Sequence, residues 1–369
     1  MAERQGPLKG FRVVELAGLG PGPYCGMLLS DLGAEVVQVD RPGGVTGGYG
    51  LNPSRDVLNR GRRSLTLDLR DPEARDQLLA LIAHADGFIE GNRPGVAERL
   101  GIGPDKCLRR NPRLVYGRVT GWGQSGPLAL AAGHDINYIA VGGALGLCGR
   151  PGVPVIPQNF VGDMAAGGLL LAFGMVSALL EAGRSGQGQV VDAAMIDGVA
   201  SLLSAMLTMH ASGCLHEETA PFFGDGSAHF YGVYRTSDGK YLSVGAIEPA
   251  FYAAFLRDAE LSDSAFDAQW DTTLWPELKE KVARRIAQRT STEWVSAFSR
   301  DACVAPVLSL TELEHHPQHV ARANFFREAG VLQASPVPKF SRTPGAVASP
   351  PNSRPVDIAA LIGQWACRV

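Results

Sequence analysis

Short apolar runs rich in β-branched residues alternate with amphipathic stretches along the first third of the chain. The run "FRVVEL" at 11–16 leads into the turn "AGLGPGP", the helical stretch "YCGMLLSDLG" ending at Gly33, and a second buried run, "EVVQVD". Strand, glycine turn, helix and strand form a βαβ unit. The rhythm continues through "SLTLDL", a helix expected from about Pro72 to His84, "DGFIEG" and "RLVYGRVTGWG". It predicts an open parallel sheet of the doubly wound kind. From Gly121 to Phe160 the pattern breaks into loops and short helices. Two very apolar helices are then expected, over about 163–182 and 193–212.

Residues 213–228 turn polar and glycine-rich and read as a linker. Beyond it, "FYGVYRTSDGKYLSVGAI" predicts a hairpin with Asp238-Gly239 in a type I′ turn. Helical patterns follow up to Arg300, then "CVAPVLSL" as a further strand, then a proline-rich stretch feeding a last helix. The expected fold class is α/β. A large domain spans 1–212 and is completed by 335–369, and a smaller α+β domain spans 229–334. A chain of 369 residues can bury cores for both.

Composition narrows the function. A net charge of −3 gives no general basic surface, which argues against a nucleic-acid partner. Six cysteines without a Cys-x-x-Cys pair read as reduced thiols of a cytosolic protein. "MAERQGPLKG" has no apolar signal core, and "ACRV" is not a peroxisomal address, so the expected location is cytoplasmic. The apolar run 164–180 is shorter than the roughly 20 residues of a membrane span and is bracketed by Asp163 and Glu181. It is expected to be a core helix, with no membrane partner.

Candidate chemistry sits at several points. The turn after the first run resembles a dinucleotide loop, but Pro23 stands where Gly-x-Gly-x-x-Gly starting at Gly18 needs its third glycine. The turn still brings backbone N–H groups to a sheet end, where anions bind. Arginines recur after the expected strands: Arg41, then Arg60, Arg62 and Arg63, then Arg93 and Arg99. Single exposed arginines are usually solvated, but cations grouped at one sheet end suit a phosphate-bearing ligand. "HHPQH" at 315–319 lacks accompanying ligands and reads as a surface helix end, so no metal is expected; His84, His210, His216 and His229 read as structural.

"GHDINYIAVGG" places His134 and Asp135 together, either as polar residues at a helix start or as participants in chemistry. In "VGDMAAGG", Asp163 begins an apolar helix and reads as its N-cap, beside N–H groups that would also suit an oxyanion. Gly167 and Gly168 allow something to approach that helix closely. Glu248 in "VGAIEPAFY" reads as a helix-start residue that would gain a role if it met His134 from the other domain.

Together, "VVELAGLGPGP", "LGAEVVQVDRP", "GNRPGVAERLG", "TGWGQSGP", "GHDINY", "GQVVDAAMIDG", "SVGAIEP" and "DACVAPVL" resemble the α-methylacyl-CoA racemases of the family III CoA-transferase superfamily. The resemblance covers nearly the whole chain. It implies an interlocked homodimer of Rossmann-like large domains and inserted small domains, with each active site between the large domain of one subunit and the small domain of the other. It implies an acyl-CoA thioester as substrate and no separate cofactor. On it, His134 and Asp163 are the two bases, Glu248 is the partner of His134, and Arg41, Arg62, Arg63, Arg93 and Arg99 lie near the CoA nucleotide. Gln38 stands where relatives often carry arginine, which would alter surface charge near the ligand. Asp135 is expected to be structural support, since a carboxylate one residue on does not readily face the same substrate atom.

The implied reaction removes the weakly acidic hydrogen beside the thioester carbonyl and returns a proton to the opposite face. Neutral His134 would abstract while protonated Asp163 donates, and the roles exchange in reverse. Glu248 would hold the His134 tautomer, and N–H groups at the start of the Asp163 helix would hold the enolate oxygen. The rival is CoA transfer, with Asp163 as nucleophile forming a mixed anhydride. A non-enzymatic acyl-CoA binder would not require His, Asp and Glu together.

Overall fold

The computed structural model describes residues 4–44, 52–150, 153–215, 222–351 and 355–367. The chain forms two compact units. The larger comprises Met1–Ala144, Gln158–Leu202 and Pro317–Val369, and the smaller Leu145–Pro157 and Leu203–His316.

The larger unit is built on six parallel strands: β1 (Arg12–Leu16), β2 (Glu35–Asp40), β3 (Arg62–Thr66), β4 (Gly87–Glu90), β5 (Val115–Thr120) and β6 (Val190–Ala194). Their order is β3-β2-β1-β4-β5-β6. The order reverses between β1 and β4, so their C-terminal loops flank the crevice where open α/β sheets bind ligands. The central strands are mostly apolar because both faces are covered, with Glu15 on β1, Glu90 on β4 and Arg118 on β5 as buried charges among them. Val13, Val36, Ile89 and Val115 join a core with α1 (Pro21–Asp31) and, later in the chain, α5 (Leu170–Ser185). Their neighbours Val14, Val37, Phe88 and Tyr116 point the other way, into a core with α2 (Pro72–Ile82), α3 (Pro104–Arg110) and the C-terminal helix Ile358–Ala366. Trp365 of that helix is buried in this core.

The sixth strand departs from expectation. Ala193 and Ala194 fall inside the helix that the sequence predicts over about 193–212, but the strand runs to Ala194 and the helix begins at Met195. Both alanines pair with β5, in a ladder from Tyr116↔Val190 to Thr120↔Ala194, tertiary pairing overriding local propensity. The helix after them is split into Met195–Leu202 and Ser204–Ala211.

In the smaller unit, β7 (Tyr231–Arg235), β8 (Tyr241–Gly245) and β9 (Val304–Pro306) form an antiparallel sheet in the order β9-β8-β7. Phe230, Phe255, Phe266, Trp275 and Trp294 fill its core. The hairpin is not closed by a type I′ turn. Gly239 alone takes positive φ, at +78°, and the Gly239 N–H returns to Thr236 O at 3.1 Å, so Asp238 stays out of the left-handed region. This matches a type I turn ending in a glycine bulge.

The boundaries also move. Residues 145–157 and 203–212 fall in the smaller unit and 317–334 in the larger. The last shift has a physical cause: buried Arg60 donates to Ala334 O at 2.7 Å and to Gln333 Oε1 at 3.2 Å, and pairs with Asp31 at 2.5 Å. Part of the expected linker, 216–221 with His216, lies outside the described residues.

Candidate active site

Two segments of the larger unit converge beyond the C-terminal ends of β1 and β5. One is α4 (Asp135–Val141), with His134 at its N-cap. The His134 N–H donates to Asn137 Oδ1 at 3.0 Å, so a side chain three residues on closes the helix start. The other, Phe160–Leu169, is π-helical and runs into α5. Asp163 lies within its first turn rather than at its N-cap, which is Asn159; this corrects the expectation from sequence.

Asp135 joins the two segments. Its Oδ1 accepts the Asp163 N–H at 2.7 Å, and its carboxylate also receives the Gly162 N–H. A Cβ on Gly162 would collide with that oxygen, so the approach requires glycine. Structural support from Asp135 is therefore present, through backbone groups of the π-helical turn. The same contacts correct a further expectation. The Gly162 and Asp163 N–H groups serve Asp135 and are not left for an enolate oxygen.

The Asp163 carboxyl is half-buried. Gly20, at φ +66°, backs it closely enough that a Cβ there would lie 3.0 Å from Asp163 Oδ2. Gly167 and Gly168 admit the start of α1, since Cβ atoms there would sit 2.8 Å from Pro21 Cβ and 2.7 Å from Pro21 O. What approaches this helix closely is thus the glycine-proline turn after β1. Burial pushes the Asp163 pKa up, and the neighbouring Asp135 charge adds to the rise. The Asn159 amide, 3.4 Å from Oδ2, and the His134 ring oppose it. His134 and Asp163 thus lie within electrostatic reach, and the His134 side chain is exposed in the isolated chain.

Tyr138, one helical turn beyond His134, is a buried residue near the pair, one that sequence reasoning left without a role. Its hydroxyl donates to Gly133 O, and its ring meets Trp122 edge to face at 4.9 Å. Burial is the main cause that raises its pKa, the Asp163 charge adds to the rise, and the Arg93 charge opposes it.

The arginines separate into two groups. Arg41 follows β2, whereas Arg93 and Arg99 follow β4, and all three side chains are exposed. Arg62 and Arg63 begin β3 instead, which corrects their expected place beside a nucleotide. Buried Arg62 pairs with Glu15 at 2.8 Å and donates to Leu58 O and Pro23 O. Arg63 pairs with Glu35 at the start of β2 and donates to Gln364 of the C-terminal helix. Gln38 is buried too, bonded to Asn59 and Glu15, so it changes an internal network rather than surface charge.

Glu248 belongs to the smaller unit, exposed at the N-cap of helix Pro249–Asp258. Its charge reaches Cys303, whose thiol pKa is raised first by burial and then by Glu248. Cys303 helps line a cavity of about 620 Å³ with Tyr231, Ser243 and Lys279. Among the described residues no group of three or more His, Cys, Asp or Glu side chains could hold a metal ion. His315 and His319 lie on short helical turns, and His229 is buried against the Tyr252 hydroxyl at 2.6 Å, its pKa lowered by burial to about 4.

The raised Asp163 pKa has a consequence for stability. Folded Asp163 holds its proton more tightly than the unfolded chain does. Its ionisation therefore disfavours folding, a penalty absent below the usual carboxylate pKa and complete once the pH passes the raised value. Asp163→Asn is expected to melt at a higher temperature than the parent at about pH 8, the gain shrinking at about pH 4, near the unperturbed carboxylate pKa. Thermal unfolding of both proteins at the two pH values checks this.

Comparison with known proteins agrees with this architecture. CoA-transferase family III matches residues 8–353. The chain is 44% identical over 340 residues to an α-methylacyl-CoA racemase of Mus musculus, covering 91% of this chain and 87% of the relative. It is 42% identical over 349 residues to that of Homo sapiens, covering 91% and 90%. The crystal structure of a CAIB/BAIF family protein from Brucella suis superposes with a TM-score of 0.84 at 26% identity, covering 98% of this chain and all of that one. The chain belongs to CoA-transferase family III.

Proposed function

We propose that this chain is an α-methylacyl-CoA racemase, inverting the α-carbon of 2-methylacyl-CoA thioesters through an enolate. The observation that carries the reading is the placement of His134 within electrostatic reach of a half-buried carboxyl, Asp163, whose proton affinity is raised. A carboxyl that stays protonated closer to neutral pH is suited to donate a proton to one face of a planar intermediate. An imidazole is suited to take the proton from the other. Glu248 orients the His134 ring in this reading, supplied by the small domain of a partner subunit.

A second reading, CoA transfer, is raised by the family itself. It requires Asp163 ionised as a nucleophile on the acyl-CoA. Burial and the adjacent Asp135 charge work against that ionised form, and anhydride exchange has no need of His134. Both features favour proton transfer.

The partner is a second copy of this chain. Along Phe160–Ser185, a stretch apolar and long enough to cross a membrane by composition alone, the inner side packs on the sheet through Leu171, Met175 and Leu179. Leu169, Phe173, Val176 and Leu180 form an outward stripe, with Phe173 69% exposed. Apolar surface of this extent normally marks an interface. The neighbouring edge strand β6 presents Val190 as well. An interlocked homodimer would cover both and bring Glu248 to the site.

His134→Ala is expected to lower the rate of epimer interconversion by about 10²–10⁴-fold, the usual contribution of a positioned base. Chiral analysis of a 2-methylacyl-CoA, with and without an added carboxylic acid acceptor, checks this. Undiminished interconversion in the variant, or rapid CoA transfer to the acid, would overturn the reading. Sedimentation at micromolar concentration should give a particle of two chains, and a monomer would contradict the shared site.

A further inference from the structure

We propose that Arg118 is a positioning residue for nucleotide binding: clamped between Glu90 and Glu98, it sets the loop that presents Arg93 and Arg99 to the phosphates of the CoA ester. The inference rests on the reading of Arg93 and Arg99 as nucleotide contacts.

Arg118 lies on β5 directly across from Glu90 on β4. It is 5% exposed and Glu90 is fully buried. Arg118 Nε donates to Glu90 Oε1 at 2.8 Å, while Nη1 and Nη2 reach the two oxygens of Glu98 at 2.8 and 3.3 Å. This forked grip is one that arginine makes and lysine does not. The second oxygen of Glu90 accepts the Asn92 N–H at 2.7 Å. The segment 92–98 is thus held at both ends by one charge cluster. Between the pins, Pro94 restricts the backbone, Gly95 takes φ +81°, and the Val96 N–H returns to Arg93 O at 3.1 Å. Gly103 leaves room for Glu98, since a Cβ there would come within 2.9 Å of Glu98 Cγ.

The loop leaves the sheet at β4, beside the switch point, and carries Arg93 and Arg99 outward with exposed side chains. Arg118 is hydrogen-bonded to two carboxylates, lies across from a third, Asp192 on β6, and is nearly out of solvent, so it is not itself a phosphate ligand. Its influence on the nucleotide passes through the loop. A flexible loop would lose entropy in aligning two guanidiniums on phosphates, and the clamp removes that loss beforehand.

The test uses Glu98→Ala, which removes an exposed carboxylate, and Arg118→Lys, which keeps the charge and loses the fork. KM and kcat are measured for a 2-methylacyl-CoA and for the matching S-acylpantetheine, which lacks the nucleotide. Both variants should raise KM for the CoA ester about tenfold, the equivalent of one charge-assisted contact, with kcat unchanged. They should leave the acylpantetheine constants alone, and should add nothing in an Arg93→Ala/Arg99→Ala background. Equal losses on both substrates would mean general structural damage and overturn the proposal. So would unchanged KM in both variants when Arg93→Ala/Arg99→Ala does weaken the CoA ester. If Arg93→Ala/Arg99→Ala itself leaves KM for the CoA ester unchanged, the nucleotide reading fails and the proposal with it.

Discussion

One short contact organises the site: the Asp135 carboxylate receiving backbone N–H groups from the first turn of the π-helical segment, at 2.7 Å for Asp163. A carboxylate bound by backbone donors is held in place without a cation. It locks α4 to the segment that carries Asp163, and so brings His134 and Asp163 within electrostatic reach although they are distant in sequence. It also leaves a second negative charge next to Asp163 in a half-buried setting. The cost of that arrangement is a carboxyl that gives up its proton reluctantly, the property an acid in proton transfer needs. Asp135 thus contributes to both orientation and proton affinity, with burial the larger cause of the second.

The sheet supplies the platform. Its reversal between β1 and β4 opens a crevice between two loops of different chemistry. The loop after β1 is small and tight, so that Gly20 and Pro21 press against the Asp163 segment. The loop after β4 is cationic and anchored on a buried charge cluster. Buried ion pairs add little net stability against apolar alternatives, but removing one partner is costly, which makes them effective at holding a single geometry. Glu15–Arg62 beneath α1 and Glu90–Arg118 beneath the arginine loop both stand in that relation to the site.

Much of this was legible in the chain. The βαβ rhythm gave the parallel sheet because strands buried on both faces read as continuous apolar runs. The end of β6 was not legible, since Ala193 and Ala194 read as the start of a helix and pairing with β5 decides otherwise. His134 and Asp163 were singled out through resemblance; spacing alone left Asp163 an N-cap and His134 either a helix-start residue or a participant in chemistry. The position of Asp163 inside a π-helical turn has no signature in hydrophobic periodicity. Arg62 and Arg63 were misplaced because a sequence shows that arginines neighbour a strand but not which end of it they occupy. Arg118 did leave a signal, a charge within an otherwise apolar strand. Such a residue must find carboxylates inside the fold.

The central claim is that His134 and Asp163 move a proton across the two faces of one α-carbon. Its most direct test is a single epimer of a 2-methylacyl-CoA incubated with the protein in heavy water, without an acid acceptor, with NMR following the α-position and chiral analysis following configuration. The account predicts that solvent deuterium enters the α-carbon as the configuration is lost. Absence of exchange across several such thioesters, or exchange with full retention, would contradict it.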